Sequence, residues 1–224
     1  MKNVKLIRIG EEIKADNQTE AEQVRRKLTE TSTYMVNLMS SPGAGKTSLI
    51  LQTAEVLKHS LRISVVEADM DSQVDAETVL AAGVSAVQLR TGGFCHVDAY
   101  MISKTLPELE LDQTDLLILE NVGNLICPAQ SDTGAHTNVM ILSVPEGDDK
   151  PLKYPLMFRQ CDALVVNKTD YLQMGDFDME KLRRRVVNLN PDMRIFEVSC
   201  KTGQGIADWS EWLLQKVNGP AMRP

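Results

Sequence analysis

The chain has 224 residues, of which 43% are hydrophobic and 25% charged, and its formal net charge is −7. This length allows one large domain with a substantial core. The acidic balance argues against a broad nucleic-acid or membrane-surface footprint. No apolar run approaches the ~18 residues that would span a bilayer, and the opening segment becomes charged too early for a signal peptide. Because its cysteines are scattered, we expect free or metal-bound thiols in a reducing cytoplasm. These cysteines are Cys95, Cys127, Cys161 and Cys200.

The predicted elements begin with a polar amphipathic helix over residues 19–31, part of an N-terminal extension (about 1–33) of a single domain that spans 1–224. After it, short apolar runs alternate with helical stretches. Runs unbroken by polar residues suit strands that crossover helices bury on both faces. The predicted strands are YMVNLM, RISVVEAD, SAVQLR, DLLILE, NVMILSV, ALVVNK and RIFEVS, and the helices cover 47–59, 73–82, 97–105, 178–189 and 206–217.

This alternation predicts a doubly wound α/β fold, with a mostly parallel sheet and helices on both faces. The connection from Asn121 to Thr137 has no helical pattern. We therefore expect one strand near it to pair antiparallel. A loop of this length is uncommon unless it has a function.

A phosphate-binding loop is predicted where the first of these strands ends, in SSPGAGKTS. From Ser40 it follows S-x-x-x-x-G-K-T, with Ser in place of the usual first Gly. The glycines let the backbone N–H groups point at phosphate oxygens, Lys46 adds positive charge, and the Thr47 hydroxyl can ligate Mg²⁺. The following helix presents its positive end to the same anion. The candidate nucleotide-binding residues here are Gly43, Ala44, Gly45, Lys46, Thr47 and Ser48, and Lys46 is also a candidate catalytic residue.

Carboxylates follow two other predicted strands. Glu120 ends DLLILE and begins E-x-x-G, where many GTPases carry D-x-x-G. A carboxylate there can hold the Mg²⁺ shell, and the Gly123 N–H can meet a γ-phosphate. We expect one of Asp69, Asp71 and Asp75 to order the metal or the attacking water, although helix-capping, solvated acids are the alternative. The candidate catalytic residues are Lys46, Asp69, Asp75 and Glu120, and the candidate Mg²⁺ ligands are Thr47, Asp75 and Glu120.

The segment NKTD predicts which base is bound. The Asp170 carboxylate can accept hydrogen bonds from the ring N–H and the exocyclic amine of guanine, whereas adenine offers no matching pair. Asn167 can bond the purine edge and tie loops together, and the Lys168 stem can cover the base. One strand later, a second loop lies where GTPases contact the guanine oxygen. Its candidate residues are Ser199, Cys200 and Lys201. The combination predicts binding of GTP and GDP.

The stretch TGGFCHVD raises a separate question, because it places Cys95 beside His96. Two interpretations are open. Free cysteine behaves as a small hydrophobe, so the pair can be two half-buried side chains. It can also be half of a metal site.

Taken together, these motifs resemble one family. The segments SSPGAGKT, EADMDSQVDAE, TGGFCHVDA, ENVGNLICP, EGDDKPLKYP, NKTD and SCKTG have the order and spacing of the HypB family, GTPases that help insert nickel into [NiFe]-hydrogenase. The resemblance covers about residues 35–217. The chain is also similar to the urease nickel-insertion GTPases but lacks their Cys-Pro-His motif.

The HypB resemblance implies a SIMIBI-like P-loop NTPase that hydrolyses GTP to GDP and phosphate and forms a GTP-dependent homodimer. It also implies two partners, a hydrogenase large-subunit precursor and a HypA-type nickel-binding protein. Some family members carry an N-terminal cysteine-rich or histidine-rich stretch. The N-terminus here has neither, so we do not expect metal storage.

The resemblance further implies that Cys95, His96 and Cys127 bind Ni²⁺ or Zn²⁺ at the dimer interface. Such a set is incomplete, and a partner copy, water or a client protein could complete it. A helix after Cys95 and His96 would favour thiolate. Cys127 lies four residues after Gly123 and would therefore move when the γ-phosphate is lost. His136 is a weaker candidate, which we expect to be exposed to solvent.

Three classes of function compete. The first is a GTP-hydrolysing metallochaperone that delivers nickel to a hydrogenase precursor, or to another client such as urease. The second is a small-molecule kinase, which shares the phosphate loop but has no use for NKTD. The third is a GTP-dependent binding module with structural zinc, whose site would be closed by four protein ligands.

Overall fold

The computed structural model describes residues 5–8, 17–70 and 74–219 of the chain. Within them, eight strands form one sheet in the order β1-β4-β3-β5-β2-β6-β7-β8, and every neighbouring pair is parallel. The strands are β1 (Lys5–Arg8), β2 (Tyr34–Ser40), β3 (Ile63–Asp69), β4 (Ser85–Arg90), β5 (Leu116–Glu120), β6 (Thr137–Ser143), β7 (Ala163–Asn167) and β8 (Arg194–Glu197). The helices are α1 (Asn17–Glu30), α2 (Lys46–Leu57), α3 (Val74–Ala81), α4 (Ala99–Thr105), α5 (Lys150–Lys153), α6 (Pro155–Gln160), α7 (Met179–Leu189) and α8 (Ile206–Val217).

Helices cover both faces of the sheet because successive strand residues point to opposite sides. On β5, Leu116 and Ile118 pack into one core, and Leu117 and Leu119 pack into another. Helices α2, α3 and α8 contribute to the first core. On the opposite face, α1 and α4 cover one half and α6 and α7 the other. The predicted doubly wound α/β fold is confirmed.

The expectation of an antiparallel strand is wrong, since β6 pairs parallel with both β2 and β7. A parallel pairing needs a long crossover, which is usually a helix. Here residues 121–136 make the crossover with a short 3-10 turn, Pro128–Gln130, in place of an α-helix, and α1 packs against them. Arg25 on α1 forms an ion pair with Asp132 at 2.7 Å. A Cβ on Gly134 would collide with Val24, so α1 and the loop are in close contact.

The predicted helix over residues 19–31 corresponds to α1, which buries Ala21, Val24 and Leu28. The sequence did not predict β1, a four-residue edge strand that pairs with β4, because so short a run gives no clear periodicity. The sequence also did not predict the short helices α5 and α6, each of which has a proline in its first turn. No helix within the described residues combines the length and apolar character that crossing a bilayer requires.

The carboxyl ends of the parallel strands meet at one edge of the sheet, where ligands bind in open α/β folds. Strand β2 ends at Ser40, β5 at Glu120 and β7 at Asn167. The fold therefore brings the phosphate-binding loop, the E-x-x-G segment and NKTD to the same edge.

Candidate functional site

The phosphate-binding loop lies between β2 and α2 and depends on two glycines. Gly43 and Gly45 have φ angles of 76° and 100°, in the left-handed region that favours glycine. A Cβ on Gly45 would also collide with the side-chain amide of Asn167. Helix α2 begins at Lys46 and has no side-chain cap. Its first N–H groups are therefore available to an anion.

Four side chains beneath this loop form a polar cluster. The Lys46 Nζ donates to Ser40 Oγ at 3.2 Å and lies 3.9 Å from Glu120 Oε1. The Thr47 hydroxyl donates to the same Glu120 oxygen at 3.0 Å, and the other carboxylate oxygen, Oε2, is buried without a hydrogen-bond partner. A hydroxyl and a carboxylate this close can reach one small cation, and oxygen ligands are the type that Mg²⁺ prefers. The residues fit the predicted Mg²⁺ site.

Glu67 and Gln88 extend this cluster, and sequence reasoning missed both. They are register partners on β3 and β4, and Glu67 is also the partner of Glu120 on β5. The three side chains form one buried row, with Glu67 only 3% exposed. Burial and the neighbouring Glu120 carboxylate raise the pKa of Glu67 well above its usual range. The signal in the sequence that could have identified these two residues is a charged or amide side chain within an otherwise apolar predicted strand.

This row opens on a small cavity of about 40 Å³, which Asp69 and Asp75 also line. Asp69 is the last residue of β3 and is half-buried, whereas Asp75 is exposed. Asp75 also lies in the first turn of α3, where an acid suits the helix dipole. Both interpretations of these acids therefore stay open, and Asp71 lies outside the described residues.

Asn167 ties the base-recognition segment to two other loops. It is 1% exposed, and its Nδ2 donates to the Ala44 carbonyl at 3.0 Å. Its Oδ1 accepts from the backbone N–H groups of Lys168 at 2.7 Å and Cys200 at 3.2 Å. The loop-tying contacts expected of Asn167 are present.

The other residues of the base site are also held in place. Lys168 has a φ of 61°, and its Nζ donates to the Gly43 carbonyl at 2.8 Å. Asp170 accepts from the Ser199 hydroxyl at 2.6 Å. Burial raises the pKa of the Cys200 thiol to about 11, so this cysteine stays neutral. Lys201 is exposed.

Cys95, His96 and Cys127 lie together, with one potential ligand atom of each within 4.8 Å of the others. Cys95 Sγ lies 3.9 Å from His96 Nδ1. All three side chains are partly exposed, and no other described residues form such a group. Two thiols and an imidazole suit borderline and soft metal ions, and three ligands leave a coordination position open.

The expected thiolate at Cys95 is not supported. The neighbouring Cys127 thiol raises the pKa of Cys95 above its ordinary value. Helix α4 begins only at Ala99, and its N-terminus is capped by Asp98, which accepts from the Met101 N–H at 2.9 Å. An acid therefore already occupies the helix end that was expected to stabilise a thiolate.

Two asparagines join the loops that carry these three residues. Asn121 Oδ1 accepts from the Val97 N–H at 3.1 Å. Asn124 Nδ2 donates to the Cys95 carbonyl at 3.1 Å, and its Oδ1 accepts from the Ile126 N–H at 2.9 Å. Sequence reasoning used the glycine of ENVGN and overlooked its asparagines.

The prediction that His136 is exposed is wrong. It is half-buried and stacks on Tyr34, with ring centroids 4.9 Å apart. Its Nδ1 accepts from the Met35 N–H at 3.0 Å, and burial lowers the pKa of the imidazole. The parallel pairing of β6 with β2 places this side chain against β2, outside the three-residue group. Cys161 is buried in the core, as expected.

Comparisons with known proteins agree with this geometry. Residues 34–197 match the family described as CobW/HypB/UreG, nucleotide-binding domain. The chain is 42% identical over 219 residues to the hydrogenase maturation factor HypB of Azotobacter vinelandii, covering 98% of this chain and 72% of that protein. It is 41% identical over 218 residues to the hydrogenase/urease maturation factor HypB of Helicobacter hepaticus, covering 96% of this chain and 89% of that protein.

Solved structures are similar over most of the chain. HypB from Helicobacter pylori in complex with nickel superposes with a TM-score of 0.87 and 37% identity, over 91% of this chain and 96% of that one. HypB from Archaeoglobus fulgidus has a TM-score of 0.85 and 38% identity, over 91% and 99%. The signal recognition particle receptor FtsY from Elizabethkingia anophelis, at 14% identity and a TM-score of 0.52, shares the fold alone. The P-loop NTPase type of fold is confirmed.

Proposed function

This chain belongs to the HypB family of nucleotide-binding proteins, and we propose on that premise that it is a GTP-hydrolysing metallochaperone. It couples its nucleotide state to the binding of nickel or zinc, and it delivers nickel during [NiFe]-hydrogenase maturation. One juxtaposition carries the proposal. A Cβ on Gly123 would lie 3.0 Å from the backbone nitrogen of Pro42 in the phosphate-binding loop, and Cys127 follows only four residues later.

In this proposal one set of residues binds the phosphates of the nucleotide and another set binds its base. The backbone N–H groups of residues 43–48 and the Lys46 ammonium bind the phosphates, and the Asp170 carboxylate selects guanine. Ser199, Cys200 and Lys201 line the far side of the base. Since the unpartnered Glu120 oxygen fits a cation, Thr47, Glu120 and Asp75 would hold Mg²⁺, which supplies charge neutralisation.

Hydrolysis then depends on the charge and placement of a few groups. Lys46 stabilises the negative charge that develops on the transferred phosphoryl group. The Gly123 N–H meets a γ-phosphate oxygen, so loss of that phosphate releases the segment that carries Cys127. Asp69 or Asp75 orients the attacking water.

Nickel is the cargo of this protein. Cys95, His96 and Cys127 hold the ion on two loops, and the open coordination position lets another protein take it over. The proposal includes a GTP-dependent homodimer, with the metal site at the interface between the two copies. A HypA-type protein and a hydrogenase large-subunit precursor are the proposed partners. A single domain with an N-terminal extension and a cytoplasmic location belong to the same proposal.

A second candidate client is urease, which the name of the Helicobacter hepaticus relative favours. Both clients require the same switch and the same ion. A structural zinc site is less consistent with three partly exposed donors, because such sites are usually closed by four protein ligands.

Titration of Ni²⁺ and Zn²⁺ into GDP-bound and GTP-analogue-bound protein tests the function. We expect the metal affinity to differ between the two states, and linkage then requires the metal to change nucleotide affinity by the same factor. The variant Cys95→Ala/Cys127→Ala should lose metal binding and still hydrolyse GTP. Cys161→Ala is the matched control, since it removes a buried thiol away from the site. Equal affinities in both states, or full metal binding by the double variant, would contradict the proposal.

A further inference from the structure

Two asparagine side chains bracket the Cys95–His96 pair. Asn124 donates to the carbonyl of Cys95, at the start of the pair, and Asn121 accepts from the N–H of Val97, directly after it. Both asparagines belong to the segment that follows β5 and leads to Cys127. The loop with two of the metal-binding side chains is therefore attached to the segment with the third.

The two asparagines differ in what else they hold. Asn121 is buried, accepts also from the Val122 N–H, and donates to Asn37 on β2 at 3.1 Å. It is anchored to the centre of the sheet. Asn124 is partly exposed, and its two ends reach different loops: Nδ2 contacts Cys95, and Oδ1 accepts from Ile126, the residue before Cys127. Asn124 thus connects the two halves of the metal site directly.

The phosphate-binding loop contacts Gly123, the residue directly before Asn124. Gly123 has no room for a side chain, because a Cβ there would lie 2.9 Å from Pro42 Cγ and 3.1 Å from Pro42 Cα. Any change in the phosphate-binding loop that moves Gly123 must therefore move the residue bonded to it. Asn124 is that residue.

We infer that Asn124 is a positioning residue that transmits the nucleotide state to both halves of the metal site, through its bond to the Cys95 carbonyl and its turn to Ile126. The inference rests on the proposed function and goes beyond it. Without Asn124, displacement of Gly123 would reach Cys127 along the chain, whereas the Cys95–His96 loop would stay attached to Asn121, which is anchored to β2. Groups that orient metal ligands typically change metal affinity 10–100-fold when they are removed.

Two substitutions test the two contacts of the Asn124 side chain separately. In Asn124→Ser the hydroxyl can still accept from Ile126 in a local turn, but it is too short to reach Cys95. Asn124→Ala removes both contacts. Asn190→Ser is the matched control, because the Asn190 amide also donates to a cysteine carbonyl, that of Cys161 at 2.9 Å, and neither residue belongs to the nucleotide site or the metal site.

Ni²⁺ and Zn²⁺ are titrated separately into each variant, once with GDP bound and once with a non-hydrolysable GTP analogue. The quantity of interest is the ratio of the metal dissociation constants in the two states. We expect Asn124→Ser to bind metal about 10-fold more weakly and to bring this ratio at least about threefold closer to one. The Ni²⁺–thiolate absorption band should persist, and GTP affinity without metal should not change. Asn190→Ser should keep the ratio of the unmodified protein.

The outcomes distinguish the inference from the function on which it rests. A ratio different from one in the unmodified protein and unchanged in Asn124→Ser overturns the inference and leaves the proposed function intact. A change in Asn124→Ala alone assigns the effect to the Ile126 turn and overturns the role of the Cys95 bond. A ratio of one in the unmodified protein contradicts the proposed function and the inference together.

Discussion

The nucleotide end and the metal end of this molecule lie at the same edge of the sheet but are held differently. At the nucleotide end, one buried side chain, Asn167, joins three loops, and Lys168 is bonded to the phosphate-binding loop as well. At the metal end, three partly exposed side chains meet on two loops that Asn121 and Asn124 connect. The nucleotide end is therefore fixed by several contacts between loops, whereas the metal end is accessible to solvent.

Under the proposed function, this difference follows from what each ligand requires. Discrimination between guanine and adenine requires hydrogen-bonding groups that are already in place, because a site built to bond one base leaves its polar groups unpaired when the other base binds. A transferred ion requires ligands that can let it go, so an incomplete coordination set on displaceable loops is suitable. The comparison predicts that substitutions at the nucleotide end change catalysis, base choice and stability, and that those at the metal end change ion binding and its response to nucleotide.

Lys46→Ala tests the nucleotide end with the largest expected effect. Removal of one electrostatic contact to the transferred phosphoryl group should lower the GTP turnover rate by about 10²–10³-fold. Metal binding in the GDP state should change little. The measurement is phosphate release, with Lys58→Ala on the exposed end of α2 as the control. Near-normal turnover in Lys46→Ala would end the assignment of the phosphate site.

Asp170→Asn tests base choice. The amide presents a donor where guanine also presents donors, so GTP affinity should fall by about 10²-fold. Xanthosine triphosphate carries an oxygen at that position and should bind more tightly than it does to the unmodified protein. Binding of both nucleotides is measured by competition, with Asp192→Asn on an exposed turn as the control. Equal binding of GTP and ATP by the unmodified protein would show that NKTD does not select guanine here.

A comparison of Asn167→Ala with Asn124→Ser tests whether the nucleotide end is held more rigidly than the metal end. Loss of the buried Asn167 amide leaves the Ala44 carbonyl and the Cys200 N–H without their partner, at a cost of about 1–3 kcal/mol in the free energy of unfolding. Asn124 is partly exposed and water can replace it, so its substitution should cost less than about 1 kcal/mol. Denaturant unfolding measures both. Equal costs would remove the distinction between a fixed end and an open end.

The last expected effect is the pH dependence of metal binding. The Cys127 thiol raises the pKa of Cys95, so this group is protonated near neutral pH and the ion must displace its proton. Metal affinity should therefore fall as the pH is lowered, by up to about tenfold per pH unit for each proton displaced. Titration against a competing chelator between about pH 7 and 8.5 measures it, with Cys95→Ala as the comparison. An affinity independent of pH would mean that metal binding displaces no proton.

Local motifs predicted much of the candidate site. The glycines of the phosphate-binding loop, Asp170 and the Cys95–His96 pair are recognisable because their chemistry depends on neighbours within a few residues. Their convergence also follows from sequence, since each motif ends a predicted strand and the carboxyl ends of parallel strands share one edge. The apolar runs indicated seven of the eight strands that the structure describes, because these strands, apart from the edge strand β8, are buried on both faces.

Other features depend on residues distant in the chain, and only the tertiary structure decided them. Glu67 and Gln88 line the cavity because β3 lies between β4 and β5 in the sheet, an order that no local pattern encodes. The parallel direction of β6 depends on a crossover without an α-helix, and that pairing also packs His136 against Tyr34.

The sequence by itself therefore determined which chemical groups this protein carries: the phosphate-binding loop, the carboxylate of NKTD and the thiol and imidazole donors, all in short motifs. The tertiary structure decided how those groups are connected. Asn124 is hydrogen-bonded to Cys95 although 29 residues separate them in the chain. Gly123, which follows β5, is in close contact with Pro42, which follows β2. Hydrogen bonds and packing between loops depend on strand order and direction, which arise from the burial of the whole sheet rather than from any one segment.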